Sequence, residues 1–354
     1  MTRKWIAFGL IITLVMAVAF LGGCGQKPTP AKSGTVTITD STGKTVEVPS
    51  SVNRVLVLNG DAAEAMRILK VQETIVGVGD TVQQNPYLGL QDKPVVGKWN
   101  NPSLEKIVEL KPQVVITFGK WPGSELEQKL EPTGIKVVRL DFYKPETYDS
   151  DLRALAKMFG KEEEAEKFIK WKQEKMALLR DRLKGLTEKD KPRVFAIWES
   201  ALEKGAWKTY GQGTATNQAI EMGGGANIAG ELKEYPEVSS EWILQKNPQA
   251  IAIGVIQDKG LGYTATDFAG AEALKKTVLQ NPVLGKTEAA KERRVYLLST
   301  ELLGGDKSYL GALFLAKWFY SDRFSDVKPE QILQGYLEKW LGVPFKGKWA
   351  YPES

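Results

Sequence analysis

Residues 103–116 read SLEKIVELKPQVVI, and residues 239–252 repeat the pattern as SSEWILQKNPQAIA. The offset is 136 residues (239 − 103 = 136), and no gap is needed to match the serine, glutamate, isoleucine, proline and glutamine of the two copies. Each copy predicts a short helix that begins near a serine, ends before a proline and leads into a wholly apolar strand. Continuous apolar strands are typical of parallel sheets that are covered on both faces. The repeat therefore predicts two α/β lobes of related plan, with a cleft between them.

The regions around the two copies predict the domain organisation. Strand and helix patterns alternate through residues 35–145 and again through residues 191–354, so we predict an N-terminal and a C-terminal α/β lobe with these bounds. Residues 146–190 between them have an almost wholly helical pattern, with many glutamate and lysine side chains at i,i+4 spacing. One long helix in this position would act as a stiff spine between the lobes.

The N-terminus carries a secretory signal pattern. A short basic segment is followed by an apolar run over residues 5–21. The run approaches the length of a membrane span, so an uncleaved transmembrane anchor is the alternative. Residues 21–24, LGGC, resemble the lipobox of bacterial lipoproteins, in which the cysteine is diacylated and becomes the first residue. Cys24 is the single cysteine of the chain, and we predict that it is the lipidated residue.

The same pattern predicts where the protein works. Residues 1–24 are expected to be a signal peptide, and residues 25–34, rich in proline, lysine, serine and glycine, a flexible tether. The lipid would anchor the body to the outer leaflet of the cell membrane. We therefore predict an extracytoplasmic, lipid-anchored protein.

Composition excludes several classes of function. The chain of 354 residues is 42% apolar and 26% charged, an ordinary globular balance. Removing the two basic residues of the leader changes the net charge from +5 to about +3 (46 − 43), which does not indicate nucleic-acid binding. The chain has no histidine and one cysteine, so it cannot form internal disulfides, Cys/His zinc sites or a histidine-activated nucleophile. No cofactor is predicted.

Motifs for catalysis are weak. No pair of acidic residues stands out by spacing, so a glycosidase is disfavoured. Residues 43–45 and 285–287 both read GKT, like the end of a phosphate-binding loop, but the upstream glycines of that motif are absent. Other glycine-rich segments are interpreted as the starts and ends of helices. We predict that the protein is not an enzyme.

Aromatic residues mark the predicted cleft. Trp99 and Tyr235 each lie six residues before the glutamate of their own copy, while Phe118 and Trp198 lie at the ends of predicted strands. Ligands of open α/β sheets bind outside the carboxyl ends of the strands. The alternative for each aromatic is a half-buried position packed on its own lobe. The candidate ligand-binding residues are Tyr87, Trp99, Phe118, Lys120, Trp121, Trp198, Tyr210 and Tyr235.

Glu105 and Glu241 occupy the first turn of the two repeated helices. A glutamate there is favoured by the helix dipole alone and needs no partner. Two glutamates at equivalent places could instead present a pair of charges to basic pockets on a partner, where electrostatic matching fixes the register. Both interpretations are open on the residues alone.

The lipobox, the NPSLE to LKP unit over residues 101–112, its second copy and the helical connector together resemble one known family. This is the class III periplasmic-binding-protein family that serves ferric siderophore, haem and cobalamin ABC importers, and the resemblance covers about residues 36–341. It implies two Rossmann-like lobes joined by a single long rigid helix, with the ligand held between them. It also implies that Glu105 and Glu241 dock onto arginines of the membrane permease, and that Trp99, Phe118 and Tyr235 lie in the cleft.

The resemblance narrows the chemical class of the expected ligand. Some related binders of haem, free iron or zinc use histidine, which this chain lacks. A metal already wrapped in an organic chelator is favoured, because aromatic and lysine side chains suit a large, partly anionic chelate. A ferric siderophore fits slightly better than a cobalamin. The alternatives are haem or an oxyanion as the ligand, a sensory role without transport, and a lipoprotein hydrolase that uses acidic residues of the cleft. The implied partners are a permease with its cytoplasmic ATPase, and the protein is expected to be a monomer.

Overall fold

A computed structural model describes residues 34–204, 207–256 and 259–353 of the chain. The predicted signal peptide, Cys24 and nearly all of the predicted tether lie outside the described residues. None of the helices within the described part combines the length and the apolar character needed to cross a bilayer.

The strands are β1 (Thr35–Thr39), β2 (Thr45–Pro49), β3 (Val55–Val57), β4 (Ile75–Val78), β5 (Gly97–Lys98), β6 (Asn101–Pro102), β7 (Val114–Thr117), β8 (Lys136–Arg139), β9 (Arg193–Trp198), β10 (Trp207–Lys208), β11 (Ala226–Asn227), β12 (Glu237–Val238), β13 (Ala250–Val255), β14 (Val295–Ser299) and β15 (Ala350–Tyr351).

The α-helices are α1 (Gly60–Ile68), α2 (Asp80–Gln84), α3 (Leu104–Leu110), α4 (Glu125–Leu130), α5 (Tyr148–Phe159), α6 (Glu162–Leu183), α7 (Ser200–Lys204), α8 (Ala215–Met222), α9 (Ser240–Lys246), α10 (Ala269–Gln280), α11 (Glu288–Lys291), α12 (Thr300–Leu303), α13 (Ser308–Phe319) and α14 (Pro329–Gly335), which continues into a wider helical turn, Tyr336–Leu341.

Two separate sheets organise the described chain. The first has the order β4-β3-β7-β8, and all of its pairings are parallel. The second has the order β11-β9-β13-β14-β15, parallel except for the edge strand β15. The repeated strands β7 and β13 are buried along their whole length, as the continuous apolar runs predicted. The predicted α/β fold with two lobes is confirmed.

The two copies of the repeat have the same local structure. Ser103 and Ser239 cap α3 and α9, since each hydroxyl accepts the backbone N–H of the residue three positions later, at 3.3 and 3.1 Å. Each helix ends at a residue with left-handed backbone geometry, Lys111 (φ 47°) and Asn247 (φ 41°). The following proline prevents the helix from continuing. A two-stranded antiparallel ribbon precedes each helix, formed by β5 with β6 and by β10 with β12.

The similarity extends beyond the matched residues. Arg54 and Arg193, at the starts of a central strand in each sheet, donate their guanidinium N–H groups to carbonyl oxygens at the C-terminal ends of α3 and α9. Gln113 and Gln249 in turn accept the backbone N–H of these arginines, at 3.1 and 3.2 Å. The arginines therefore satisfy carbonyls that have no partner within the helix. Their sequence offset is 139 residues (193 − 54), so an ungapped comparison cannot match them.

The connector differs from the prediction in one respect. Residues 146–190 contain two helices, α5 and α6, rather than one, because the chain turns at Gly160 (φ 63°), a backbone conformation that glycine adopts without steric cost. The second of them, with 22 residues, is about 33 Å long at 1.5 Å per residue and is the long helix of the connector.

Candidate ligand-binding cleft

The first lobe presents a cluster of four aromatic side chains beyond the carboxyl ends of its strands. The ring centroids of Trp99 and Phe118 lie 5.2 Å apart, those of Trp99 and Trp121 6.3 Å, and those of Phe118 and Tyr143 6.1 Å. Phe118 directly follows β7, and Tyr143 follows β8. None of the four is fully buried, and Trp121 is 48% exposed. We call these residues the first-lobe aromatic cluster.

The second lobe presents a matching group. The ring centroids of Trp198 and Tyr210 lie 3.8 Å apart, those of Trp198 and Tyr235 5.7 Å, and those of Tyr210 and Tyr235 6.2 Å. Tyr235 is half exposed, whereas Tyr210 is buried, and burial raises the pKa of the Tyr210 phenol well above its usual value. The three residues form the second-lobe aromatic cluster, which carries neutral hydroxyl groups at physiological pH.

A cavity of about 260 Å³ is lined by residues of both lobes, and we call it the aromatic cavity. Tyr143 and Lys144 line it from the first lobe, and Trp198 and Tyr235 line it from the second. The N-terminal end of α8 also opens onto it. The remaining lining residues are Pro145, Glu146, Tyr210, Gly213, Thr214, Ala215, Thr216, Thr300, Gly304 and Gly305. Aromatic side chains of both lobes thus face one cavity.

A second cavity, of about 340 Å³, adjoins the first and shares Tyr143, Thr300 and two glycines with it. Its character is different, because its lining is mainly polar. The other residues around it are Gly60, Asp61, Glu64, Asn85, Tyr87, Glu301, Asp306 and Lys307. We call this group the polar floor of the cleft.

The polar floor joins the two lobes through one buried lysine. The Nζ atom of Lys307 lies 2.7 Å from Oε1 of Glu64 on α1 and 2.8 Å from Oδ1 of Asp306. The Tyr336 hydroxyl donates to Oε2 of Glu64 at 2.8 Å. Burial alone would lower the pKa of Lys307, but Asp306, Glu64 and the other acids raise it well above its usual value. Lys307 is therefore charged and acts as the counter-ion of the floor.

The acids of the floor outnumber this lysine. Burial, together with the neighbouring acids, raises the pKa of Glu301 to about 7 and that of Asp306 to about 6, although Lys307 opposes both shifts. Burial and Asp306 also hold the pKa of Asp61 well above its usual value. Oxygen atoms of Asp61, Glu64 and Asp306 lie within 4.8 Å of one another, but the ammonium group of Lys307 already binds two of these three carboxylates.

The predicted site residues fall into three groups. Trp99, Phe118 and Trp121 belong to the first-lobe aromatic cluster and line neither cavity directly, and Lys120 is exposed and also lines neither. The second-lobe predictions, Trp198, Tyr210 and Tyr235, all line the aromatic cavity.

Tyr87 lies in the polar floor rather than on an open aromatic wall. It is only 2% exposed, and its hydroxyl is hydrogen-bonded to Oε1 of Glu64 at 2.7 Å and to the carboxyl group of Glu301. A phenol can donate only one proton, so the second bond requires a protonated carboxyl. Burial and the neighbouring acids raise the pKa of Glu301 to about 7, so its carboxyl group is protonated in about half of the molecules at neutral pH and in most of them at lower pH.

Sequence reasoning missed Tyr143 and the acids of the floor. Tyr143 follows β8, and the rule that ligands bind at strand ends would have selected it. Glu64 stands in the apolar segment AAEAM of α1, and a charged residue inside such a segment is a recognisable signal of a buried polar site. Asp306 and Lys307 carry no comparable local signal, because their partner Glu64 is 243 positions away from Lys307.

Glu105 and Glu241 lie outside the cleft. Each is exposed in the first turn of its helix, and neither forms an ion pair among the residues that the structure describes. Hydrogen bonds from the backbone N–H of Glu241 itself and from the hydroxyl of Ser239 lower the pKa of the Glu241 carboxyl, so this carboxyl is charged at neutral pH.

Two α/β lobes with a ligand-sized cleft at the carboxyl ends of their strands form a site that suits a small-molecule ligand. The sequence matches the profile of the family described as "Periplasmic binding protein" over residues 55–302, and the chain belongs to this family. It is a solute-binding protein of an ABC importer, and it is not an enzyme.

One molybdate-binding protein is similar to this chain in both sequence and structure. The chain is 24% identical to the molybdate-binding protein MolA of Haemophilus influenzae over 87% of this chain and 92% of that protein. The solved structure of MolA bound to molybdate superposes with a TM-score of 0.72 at 23% identity, covering 88% of this chain and 100% of that one.

Two further relatives match different shares of the chain. The uncharacterised ABC transporter substrate-binding lipoprotein YvrC of Bacillus subtilis is 24% identical over 90% of this chain and 98% of its own length. The vitamin B12-binding protein of Salmonella paratyphi A is 32% identical over 45% of this chain and 57% of its own length.

Proposed function

We propose that this protein captures a metal chelate, a ferric siderophore in the first place and a cobalamin or another corrinoid in the second, and delivers it to its permease. The observation that carries this proposal is the aromatic cavity, where Tyr143 of one lobe faces Trp198 and Tyr235 of the other. Aromatic walls with a few hydroxyl groups suit the faces of an organic chelator. Because the chain has no histidine, a metal ion that arrives already chelated fits better than a free ion or haem bound through an imidazole.

An oxyanion is the second candidate, since the likeness to the molybdate-binding relative spans nearly the whole chain. The charges of the cleft argue against it. The polar floor carries four acidic side chains and one lysine, and Lys144 at the aromatic cavity is already 2.5 Å from Oδ2 of Asp141. A small anion would therefore meet lysines that are already paired, Lys307 with Glu64 and Asp306, and Lys144 with Asp141.

Anchoring and docking complete the proposal. Acylation of Cys24 would hold the body at the outer face of the membrane, and the relative YvrC is itself described as a lipoprotein. Glu105 and Glu241 would then meet basic side chains of the permease, one on each lobe. Their exposure and lack of ion-pair partners among the described residues support this role.

The test is isothermal titration calorimetry on the body from residue 25 onward. The panel is a ferric catecholate, a ferric hydroxamate, cyanocobalamin, haemin and molybdate. We expect saturable binding of one of the ferric chelates or of cyanocobalamin, and Trp198→Ala should weaken it about tenfold or more. Trp242→Ala, in the same lobe but outside both cavities, is the matched control. Binding of molybdate alone would show that the chelate proposal is wrong.

A further inference from the structure

Two exposed aliphatic side chains occupy equivalent positions in the two lobes. The large apolar side chains that the described residues leave exposed are Val108, Trp121, Tyr235, Leu244 and Ile256. Trp121 and Tyr235 belong to the aromatic clusters of the cleft. Val108 (41% exposed) and Leu244 (38% exposed) are separated by 136 residues (244 − 108), which is the offset of the internal repeat.

The local structure gives both side chains the same surroundings. Val108 lies three positions after Glu105 on α3, and Leu244 lies three positions after Glu241 on α9. Residues three apart on a helix are neighbours on its surface. The residue before each aliphatic, Ile107 or Ile243, is fully buried, so the two helices face the solvent in the same rotation. Each lobe therefore presents a glutamate with an aliphatic group one helical turn beyond it.

A single exposed valine or leucine on a surface helix needs no explanation. The repetition is what calls for one, because the outward faces of these helices are otherwise polar. The residues that follow, Glu109 and Gln245, are exposed and polar in both copies. An apolar residue that recurs at one matched position, beside a matched glutamate, indicates contact with a partner that has two similar surfaces.

We propose that Val108 and Leu244 form the apolar half of the permease-docking surface. The partner is a protein with two equivalent sites, each with a basic side chain beside a small apolar depression. The basic group pairs with Glu105 or Glu241, and the depression accepts the aliphatic side chain of the same lobe. This inference rests on the proposed docking role of the two glutamates and adds a contact of a different physical kind.

The glutamates and the aliphatic residues of this surface should affect different rates of docking. Exposed charges accelerate encounter and fix the register, and salt screens them. Burial of an aliphatic group depends little on salt at the concentrations that screen exposed charges, and it slows dissociation of the complex. The glutamates should therefore govern the association rate, and Val108 and Leu244 the dissociation rate.

The experiment measures binding of the mature protein to the importer's own permease, purified and held in nanodiscs, by biolayer interferometry. The variant carries Val108→Ser and Leu244→Ser, which preserve charge and, at exposed positions, fold. We expect dissociation about tenfold faster with the association rate nearly unchanged. Gln245→Ser, at the adjacent exposed position, is the control and should bind like the wild type. The affinity for the transported solute should be unchanged in all of them.

A second variant tests separately the docking role of the two glutamates, on which this inference rests. Glu105→Ala with Glu241→Ala should slow association, most strongly at low salt. If the glutamate variant slows association but the serine variant dissociates like the control, the apolar half of the surface is refuted and the docking role stands. If neither variant differs from the wild type, the docking face itself is wrongly assigned.

Discussion

The ammonium group of Lys307, in the second lobe, lies 2.7 Å from Oε1 of Glu64, in the first, and both side chains are almost completely buried. This pair closes the floor of the cleft, where Tyr336 adds a hydrogen bond to the same carboxylate. The lobes are thus joined by a polar contact as well as by the connector. A buried contact of this kind favours one relative setting of the lobes.

Lys307→Met should lower the free energy of unfolding by about 3 kcal/mol or more, since removing one partner leaves uncompensated carboxylates in the interior. Urea denaturation at pH 7.5 measures this change. The control is Lys44→Met, which breaks the exposed ion pair of Lys44 with Glu131 (3.1 Å) and should cost less than about 1 kcal/mol. Equal losses in the two variants would contradict the structural role of the Lys307 contact.

The pH dependence of stability should carry the signature of Glu301. Its pKa is about 7 in the folded protein against an ordinary value of 4.5, so the folded state binds the proton more tightly than the unfolded chain. Protonated Glu301 therefore stabilises the folded protein, and this stabilisation is complete below pH 4.5 and is lost as the pH rises through about 7. The free energy of unfolding changes by up to about 3 kcal/mol over this range.

Glu301→Gln removes this titration. Urea unfolding at intervals from pH 4.5 to 8 should therefore give a flatter profile for the variant than for the wild type. Protonation of Asp306 also stabilises the folded protein, and this contribution is lost as the pH rises through its folded-state pKa of about 6. Because Asp306 is present in both proteins, it does not distinguish their profiles. Profiles of equal slope above pH 6 would argue against a protonated Glu301.

Trp99→Ala should weaken binding of the transported solute by on the order of 1 kcal/mol or more if the indole packs on the ligand. Trp99 lines neither cavity and packs on Phe118, at 5.2 Å between ring centroids, and on Trp121, at 6.3 Å, so the result distinguishes ligand contact from packing within the lobe. Calorimetry with the solute identified from the panel provides the measurement. An unchanged affinity would leave Trp99 as a packing residue of its own lobe.

Glu105→Ala with Glu241→Ala should leave the solute affinity intact and reduce uptake, because both residues are exposed and line neither cavity. Uptake of radiolabelled solute by cells that express the whole importer tests the loss, and calorimetry on the purified variant tests the affinity. Undiminished uptake would mean that the permease recognises another surface.

Lys111→Gly should stabilise the protein by about 1 kcal/mol, since a lysine at φ 47° is strained where glycine is not. The equivalent change in the other lobe, Asn247→Gly, should bring no such gain. Asparagine tolerates this geometry better, and its Oδ1 accepts the backbone N–H of Glu288 at 2.9 Å. Thermal unfolding of both variants checks the difference, and equal gains would contradict it.

The repeat allowed the lobes to be predicted because each copy is local: a serine, an apolar face, a proline and an apolar strand lie within fourteen consecutive residues. Members of the two aromatic clusters could be selected by the same local rule, since Phe118 and Trp198 stand at strand ends, and their contact with a ligand stays a prediction. The break at Gly160 was overlooked because the charge pattern continues across it.

The polar floor depends on contacts between residues that are far apart in the sequence. Glu64 and Lys307 gain their roles only when the lobes pack together, and neither residue type predicts that packing. Tyr87 illustrates the limit: its loop indicated a functional segment, but its burial against two acids is a property of the folded pair of lobes.

The distribution of tryptophan has an optical consequence. Of the ten tryptophans of the chain, Trp5 lies in the predicted signal peptide, and three of the other nine, Trp99, Trp121 and Trp198, belong to the two aromatic clusters. A colourless solute in the cleft would act by contact, and therefore mainly on the emission of tryptophans in these clusters, Trp198 first because it lines the cavity. A ferric or corrinoid chromophore accepts excitation energy from the six remaining indoles as well, without touching them. The depth of fluorescence quenching at saturation therefore reports the chemical class of the bound solute before its identity is known.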